Sequence, residues 1–428
     1  MTQIWKCGPF EFDLSEPLIM GITNVTPDSF SDGGDHNAPE DAVAFAKQQL
    51  AEGADIIDVG GESTRPGSAE VSVEEELSRV LPVVRELAGQ GVAVSVDTRH
   101  AEVARACVEA GACIINDVSG FRDRAMREVA CDCDAGLVIM HMLGEPGHMQ
   151  DDPQYDDVVA EVEASLTHMA TRLESEGVEH DRICLDPGVG FGKNAGHNDA
   201  LLMATEHFAS LGYCYMVAVS RKSFIGTMTG IEEPKDRDEA SALCAAAAIE
   251  EGAQVARVHN VALTKEVIEK SRRAIVALGS NMDSPQTQID RAVRALRHLP
   301  HTWVSAVSPY YQSEPAYREN QADFVNAVAV LQTTLSAHEL LDELHNLEDA
   351  QGRMRTLENG PRTLDLDIVD FEGETSDDPK LILPHPKALE RDFVVTPLLA
   401  VLPHVRFANG VAVDRSKVSV GKVTGIAY

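Results

Sequence analysis

The sequence predicts an α/β chain of two domains: a (β/α)8 barrel of the TIM type, followed by an α+β ferredoxin-like domain. Three observations lead there. Between residues 18 and 270, eight short apolar runs alternate with longer segments whose apolar positions recur at three and four. That is the pattern of parallel strands covered on both faces by helices. The polar residues of this region gather at, or just beyond, the C-terminal ends of the apolar runs. Around 270–275 the pattern changes to strand, helix, two strands, helix and strand. The expected domains are 1–271 and 272–428.

The eight runs expected as strands are 18–23, 55–60, 93–98, 113–118, 136–141, 183–188, 215–220 and 254–259. Between them lie helical stretches such as EDAVAFAKQQLAEG and VSVEEELSRVLPVVRELAGQG, several ending at Gly, a usual helix stop. Eight such units in about 250 residues are the arithmetic of a closed barrel; alternation alone also allows a doubly wound open sheet. KSRR then runs straight into AIVALGSN with no Gly/Ser/Pro linker. A helix is expected over 284–298, strands over 303–311 and 323–332, and a helix over 336–350. A strand containing LDLDIVDF and a further helix follow, and GETSDDPK reads as a surface loop.

The 428 residues carry a formal net charge of −33. A chain this acidic repels phosphate backbones unless its basic residues cluster, and here they do not, so a nucleic-acid partner is excluded. The opening MTQIWKCGPFEFDLSEP has neither the basic nor the apolar region of a signal peptide. No apolar run is long enough to span a membrane. The eight cysteines all lie between Cys7 and Cys244, without paired C-x-x-C spacing, and read as reduced thiols of a cytoplasmic protein.

The gathered polar residues are Asn24, Glu62, Thr64, Arg65, Asp97, Asn116, His141, Asp186, Lys222, Arg257 and His259. Singly, several have plain alternatives: Asn24 as a turn cap, Asp97 as a helix N-cap, Arg257 and His259 as a solvated strand end. Jointly they form the rim a barrel active site requires. Asn24 offers an oxygen suited to Mg²⁺ on a substrate phosphate. Lys222 and Arg257 can offset nearby anions, as a pyrophosphate-bearing ligand would require. In the second domain Asp365 and Asp367 are spaced i, i+2 on an expected strand, so both carboxylates share a face. Such a pair suits Mg²⁺ bridging nucleotide phosphates. An edge strand with alternating polarity is the competing reading, which Arg353, Arg355 and Arg362 nearby weaken.

NVTPDSFSDGG, GGESTRPG, VDT, INDVSG, LDPGVGFGKN, SRKSFIG and RVHNV, in order over 18–262, resemble dihydropteroate synthases. The resemblance implies condensation of 4-aminobenzoate with 6-hydroxymethyl-7,8-dihydropterin pyrophosphate, releasing pyrophosphate. It places Asp97, Asn116 and Asp186 on the pterin, with Met140 and Lys222 nearby, and Asn24 with Mg²⁺, Arg257 and His259 on the pyrophosphate. Thr64, Pro66, Phe191 and Ser223 then line the aminobenzoate site, with Arg65 in the same loop. Asn260 and Ala218 stand where the family usually has Asp and Gly. Pairing of two copies through the barrel helices is carried over as an expectation.

ALGSN, SPYYQSEP, FVNAV, LEDAQGRMR, GPRTLDLDI and LPHPKALERDFVVTPL, over 274–405, resemble 6-hydroxymethyl-7,8-dihydropterin pyrophosphokinases. The resemblance implies transfer of the β,γ-diphosphate of ATP to the pterin hydroxymethyl group. It puts two Mg²⁺ on Asp365 and Asp367, and ATP phosphates on Arg353, Arg362, His385 and Arg391. Arg355 and Glu348 join them at the nucleotide, Phe324 stacks on the pterin and Asn326 reads its polar edge. TLEN looks shortened, and Tyr317 and Arg318 replace a Gly-Pro-like segment. Two other readings stand beside these: a pterin-binding methyl-transfer barrel, and an active synthase carrying a degenerate C-terminal binding or oligomerisation module.

Overall fold

The computed structural model describes residues 3–26, 38–62, 71–144, 149–317, 320–352 and 360–427. They divide into two compact units, Met1–Ile268 and Glu269–Tyr428.

In the first unit eight parallel strands close into a barrel: Leu18–Asn24, Ile56–Gly60, Val94–Asp97, Ile114–Asp117, Gly136–Met140, Ile183–Asp186, Cys214–Val217 and Val255–Val258. The last strand pairs back onto the first, with Arg257 opposite Met20. The open-sheet alternative is thereby removed. The covering helices bury one face each. Val73–Ala88 starts on Ser72, whose hydroxyl accepts from Glu75 N–H, and buries Val80, Val83, Val84 and Leu87, the three-and-four spacing of a core-facing helix.

An antiparallel hairpin that the sequence reading did not anticipate, Ile4–Cys7 with Phe10–Asp13, precedes the barrel. Trp5 and Cys7 pack with Leu18, Ile56, Ala93, Cys113, Cys184, Cys214 and Val255, all at or next to the starts of barrel strands. Trp5 Nε1 donates to Arg182 O at 3.0 Å. The hairpin therefore plugs the N-terminal mouth, and ligands are left the opposite rim.

The second unit is a mixed layer structure. Its sheet runs in the order Asp365–Phe371, Arg272–Ser280, Phe324–Thr333, Tyr311–Ser313 and Val423–Ile426, with Thr302–Val307 also on Phe324–Thr333. Neighbours are antiparallel throughout. The helix-connected strands Arg272–Ser280 and Thr302–Val307 run parallel with one strand inserted between them, the split βαβ of a ferredoxin-like domain. Ala274, Val276 and Leu278 pack under Pro285–Arg297 and Ala337–Ala350. Ile275 faces the other way, onto Val394, Val395 and Leu398 of Asp392–Val401.

Three local expectations differ. The strand expected over 303–311 breaks into Thr302–Val307 and Tyr311–Ser313. Pro309 has no N–H to give, and the Ser308 hydroxyl accepts from Val328 N–H in the gap. GETSDDPK is not all loop: Ser376–Asp378 pairs with Leu381–Leu383. The edge strand Val423–Ile426 carried no strong apolar signal, because most of it is exposed.

Candidate active sites

At the barrel rim, register does the assembling. Asn24 lies opposite Gly60, Gly60 opposite Asp97, and Asp97 opposite Asn116. Met140 lies opposite Asp186. A Cβ on Gly60 would sit 3.6 Å from both Asn24 Oδ1 and Asp97 Cβ, so the glycine keeps open the space between two polar groups. Arg257 reaches across the barrel. Its Nε donates to Asp58 Oδ2 and its Nη2 to Asp97 Oδ2, both at 2.6 Å, and Asn116 Nδ2 donates to the same Asp58 oxygen at 3.3 Å. Asp58 is fully buried, and its other carboxylate oxygen has no partner among the described residues.

Asp58 escaped the reading of the sequence. The signal was there: a carboxylate in the middle of IIDVG, a strand otherwise apolar on both faces. Buried charges persist only when paired.

Burial raises the Asp97 carboxyl above its ordinary value, with Arg257 opposing that rise and Asp58 adding to it. Burial likewise raises Asp186, opposed first by Lys222 and then by the Gly188 N–H, which donates to Oδ1 at 2.8 Å. Lys222 is lowered to about 8, by burial against the pull of Asp186. Its Nζ donates to Val189 O at 2.5 Å and stands 4.6 Å from the centre of the Phe191 ring. Phe191 packs on Met140, Met142 and Met149. His259 is held by Ser220, whose hydroxyl lies 2.9 Å from Nδ1 and accepts from the His259 N–H. Ser223 opens the helix Ser223–Thr229 and is exposed. Glu62 accepts from Arg99 at 2.9 and 3.0 Å and from Val71 N–H, a fixed anchor rather than an open ligand. His141 is lowered to about 3 by burial and by Lys193. Thr64, Arg65 and Pro66 lie outside the described residues.

This rim gathers buried acids, a bridging guanidinium and an amide. It can hold the polar edge of a flat heterocycle and neutralise a leaving anion beside it.

In the second unit a cavity of about 260 Å³ is lined by Gly279, Tyr317, Phe324, Asn326, Arg362, Asp365, Asp367, His385, Arg391 and Phe393, among others. Again register assembles it: Gly279 lies opposite Asn326 on one side and Asp365 on the other, and Ala277 lies opposite Asp367. A Cβ on Gly279 would come within 3.3 Å of Asn326 Oδ1. Asn326 Nδ2 donates to Ser313 Oγ at 2.9 Å. Arg362 pairs with Asp365, and its guanidinium stands 5.9 Å from the Phe324 ring. Asn281 fixes Arg362 by accepting from its N–H at 2.9 Å while donating its own N–H to the Arg362 carbonyl. Arg391 Nη1 lies 3.6 Å from Asp367 Oδ2, between the Tyr317 and Phe393 rings at 5.9 and 5.6 Å. His385 is lowered to about 4, by burial and then by Arg391.

Glu348 is placed differently from the other expected nucleotide contacts. It is 1% exposed, does not line the cavity, and accepts from the N–H of Leu366, between the two aspartates. Arg353 and Arg355 lie outside the described residues, as does Arg318. Phe393 was inside a quoted motif without being singled out; its place on the cavity wall comes only from packing. Hard oxygens at Asp365 and Asp367, flanked by two arginines, fit a divalent cation whose remaining ligands come from phosphates. Among the described residues no group of three or more His, Cys, Asp or Glu is arranged to hold a metal by itself. No described helix is long and apolar enough to cross a membrane.

Residues 20–259 match the family model of pterin binding enzymes, and residues 275–403 match that of 7,8-dihydro-6-hydroxymethylpterin-pyrophosphokinases. The dihydropteroate synthase of Escherichia coli K12 is 48% identical over 261 residues, covering 61% of this chain and 91% of that one. The structure of Xanthomonas albilineans dihydropteroate synthase with 4-aminobenzoic acid superposes with a TM-score of 0.60 at 43% identity, over 63% of this chain and 97% of that one. The Burkholderia cenocepacia enzyme complexed with 7,8-dihydropteroate gives 0.57 at 41%, over 63% and 95%.

Proposed function

The chain belongs to the pterin binding enzymes and carries a pyrophosphokinase domain behind its barrel, and from that premise we propose that it performs two consecutive steps of folate biosynthesis. The second domain transfers the β,γ-diphosphate of ATP to 6-hydroxymethyl-7,8-dihydropterin and releases AMP. The barrel joins the resulting pterin pyrophosphate to 4-aminobenzoate, giving 7,8-dihydropteroate and pyrophosphate. One domain's product is thus the other's substrate, although the first-acting domain comes second in the chain.

In the barrel, Asp97, Asn116 and Asp186 hold the pterin edge, with Met140 beneath and Lys222 beside it. Arg257 and His259 take the pyrophosphate, and Asn24 would offer its oxygen to a Mg²⁺ that would supply further counter-charge there. Thr64, Arg65, Pro66, Phe191 and Ser223 belong to the aminobenzoate side. As the C–O bond to pyrophosphate breaks, positive charge spreads from the methylene into the pterin. The buried carboxylates oppose that charge while Arg257 neutralises the departing anion. The arylamine nitrogen then forms the C–N bond and gives up a proton. No covalent enzyme intermediate is needed.

In the second domain Phe324 and Phe393 flank the pterin, and Asn326 reads its amide edge. Asp365 and Asp367 hold Mg²⁺, which neutralises the ATP phosphates when bound. Arg353, Arg355, Arg362, His385 and Arg391 gather around the triphosphate. Glu348 acts through the Leu366 N–H, fixing the strand that presents both aspartates. The observation that carries the two-step reading is that one cavity unites Asn326, Phe324 and the paired aspartates. A degenerate module has no need of that combination.

The test supplies the whole chain with 6-hydroxymethyl-7,8-dihydropterin, ATP, Mg²⁺ and 4-aminobenzoate, and quantifies AMP and dihydropteroate together. Both products are expected, and supplied pterin pyrophosphate should replace ATP. Dihydropteroate from supplied pyrophosphate alone would reduce the second domain to a binding module.

A further inference from the structure

Lys193 is a buried lysine that the two-step chemistry leaves without a task. Its side chain is 2% exposed, and Nζ lies 3.0 Å from His141 Nδ1, 3.0 Å from Gly188 O, 2.9 Å from Phe191 O and 3.3 Å from His141 O. Burial lowers Lys193 to about 7 against the pull of Asp186, and in its charged form it has three protons to give. Here the lowered His141 value leaves a neutral ring whose Nδ1 accepts one of them.

The segment it holds is tied off carbonyl by carbonyl. Gly188 O and Phe191 O accept from Lys193, and Val189 O accepts from Lys222 at 2.5 Å. Gly190 O accepts from Gln150 at 2.8 Å, and Gly192 O from Tyr155 at 2.9 Å. Five consecutive carbonyls thus each meet a side-chain donor, and Lys193 serves two of them. Close approach explains the glycines: a Cβ on Gly188 would strike His141 O, and one on Gly192 would lie 2.5 Å from Leu143 O, both at positive φ. Lys193 therefore joins the segment after strand Ile183–Asp186 to the segment after strand Gly136–Met140.

We propose that Lys193 is a positioning residue for 4-aminobenzoate: it fixes the Phe191 backbone so that the ring stays between the Met140–Met142–Met149 cluster and Lys222. The inference rests on the reading that puts Phe191 at the aminobenzoate site. Lys193 makes no hydrogen bond to Asp97, Asn116 or Asp186 on the pterin edge, nor to the Arg257 bridge. It reaches that edge only through its charge on Asp186 and through Gly188, whose N–H donates to Asp186. It bonds the Phe191 backbone directly, so its loss acts on the aminobenzoate side more than on the pterin side.

The experiment replaces Lys193 in the full chain by Met, which keeps length and loses every donor, and by Gln, which keeps two donors on a shorter arm. Dihydropteroate formation is followed from supplied pterin pyrophosphate, with equilibrium binding of that pyrophosphate and thermal unfolding measured alongside. For K193M the KM for 4-aminobenzoate should rise about tenfold or more, because small misplacements of an orienting group cost that much. Its pterin pyrophosphate affinity should stay within about threefold of wild type, and K193Q should fall between the two. An unchanged KM overturns the proposal. So does a parallel loss of kcat and of both substrate affinities, the signature of a lysine that merely supports the fold. Should K193M not fold, the same split in K193Q decides. Failure of the wild-type chain to form dihydropteroate would instead overturn the reading beneath.

Discussion

Arg257 in the barrel and Arg391 in the second domain are both arginines set against an aspartate beside a proposed phosphate site, yet they are built in differently. Arg257 is locked between two carboxylates at 2.6 Å, one of them fully buried. Arg391 stands 3.6 Å from Asp367, whose side chain is 39% exposed, and leans on two aromatic rings. The barrel site is thus preassembled by its own charges, whereas the kinase site pairs Asp365 with Arg362 but leaves Asp367 accessible to a ligand. Preassembly suits a reaction whose cationic transition state must meet fixed carboxylates. Accessible carboxylates suit a reaction whose counter-charge arrives with the nucleotide.

The largest effect expected from breaking this contrast is at the aspartate pair. Asp365→Asn or Asp367→Asn should reduce AMP formation on the order of 10²–10³-fold, while dihydropteroate synthesis from supplied pterin pyrophosphate stays near wild type. Equal loss of both activities would show that the aspartates support the whole chain.

The arginines sharpen the comparison. Arg257→Ala leaves Asp58 and Asp97 buried without their cation, which should cost the barrel about 3–5 kcal/mol in denaturant unfolding as well as its activity. Arg391→Ala should cost the second domain less than that, because the partner it leaves behind, Asp367, is 39% exposed rather than buried, and should raise the KM for ATP. Matching stability losses in the two variants would erase the distinction.

A pH experiment comes next. His385 is neutral in the folded domain down to about 4, against an ordinary value of 6.5. A depressed folded value contributes stability above 6.5 that is lost as the pH falls through about 4. Unfolding of the second domain should therefore become easier across that window, and His385→Gln should flatten the slope. An unaltered slope would mean another group carries it.

The smallest effects are expected at the two glycines that separate polar partners. Gly60→Ala adds a methyl group at ordinary contact distance and should leave unfolding almost unchanged while narrowing the space between Asn24 and Asp97. Gly279→Ala presses on Asn326 Oδ1 at 3.3 Å and should weaken pterin binding by about threefold to tenfold.

How much of this was legible beforehand follows from what each feature depends on. The eight apolar runs announced the barrel because a strand covered on both faces has to be apolar along its length. Asn24, Asp97, Asn116, Asp186 and Arg257 could be gathered because strand ends share one rim. Asp365 and Asp367 were recognisable because a period of two is local. The N-terminal hairpin was not legible, since four-residue strands carry little periodicity and the role of Trp5 depends on a distant mouth. The break at Ser308–Pro309 was written in the proline but outweighed by flanking β-formers. Glu348 looked like a ligand by motif, and only packing reveals its bond to Leu366. Lys193 drew no notice because its four acceptors come from two loops that meet only in three dimensions.

The central claim is that one chain holds two self-contained sites of different construction, and two crippled chains test it most directly. Asp97→Asn disables the barrel and Asp367→Asn the kinase domain. Each is incubated with 6-hydroxymethyl-7,8-dihydropterin, ATP, Mg²⁺ and 4-aminobenzoate, alone and as an equal mixture. Neither chain alone should form dihydropteroate at an appreciable rate, and the mixture should, because pterin pyrophosphate made on one chain can be used on the other. A silent mixture, or wild-type turnover by either chain alone, would contradict it.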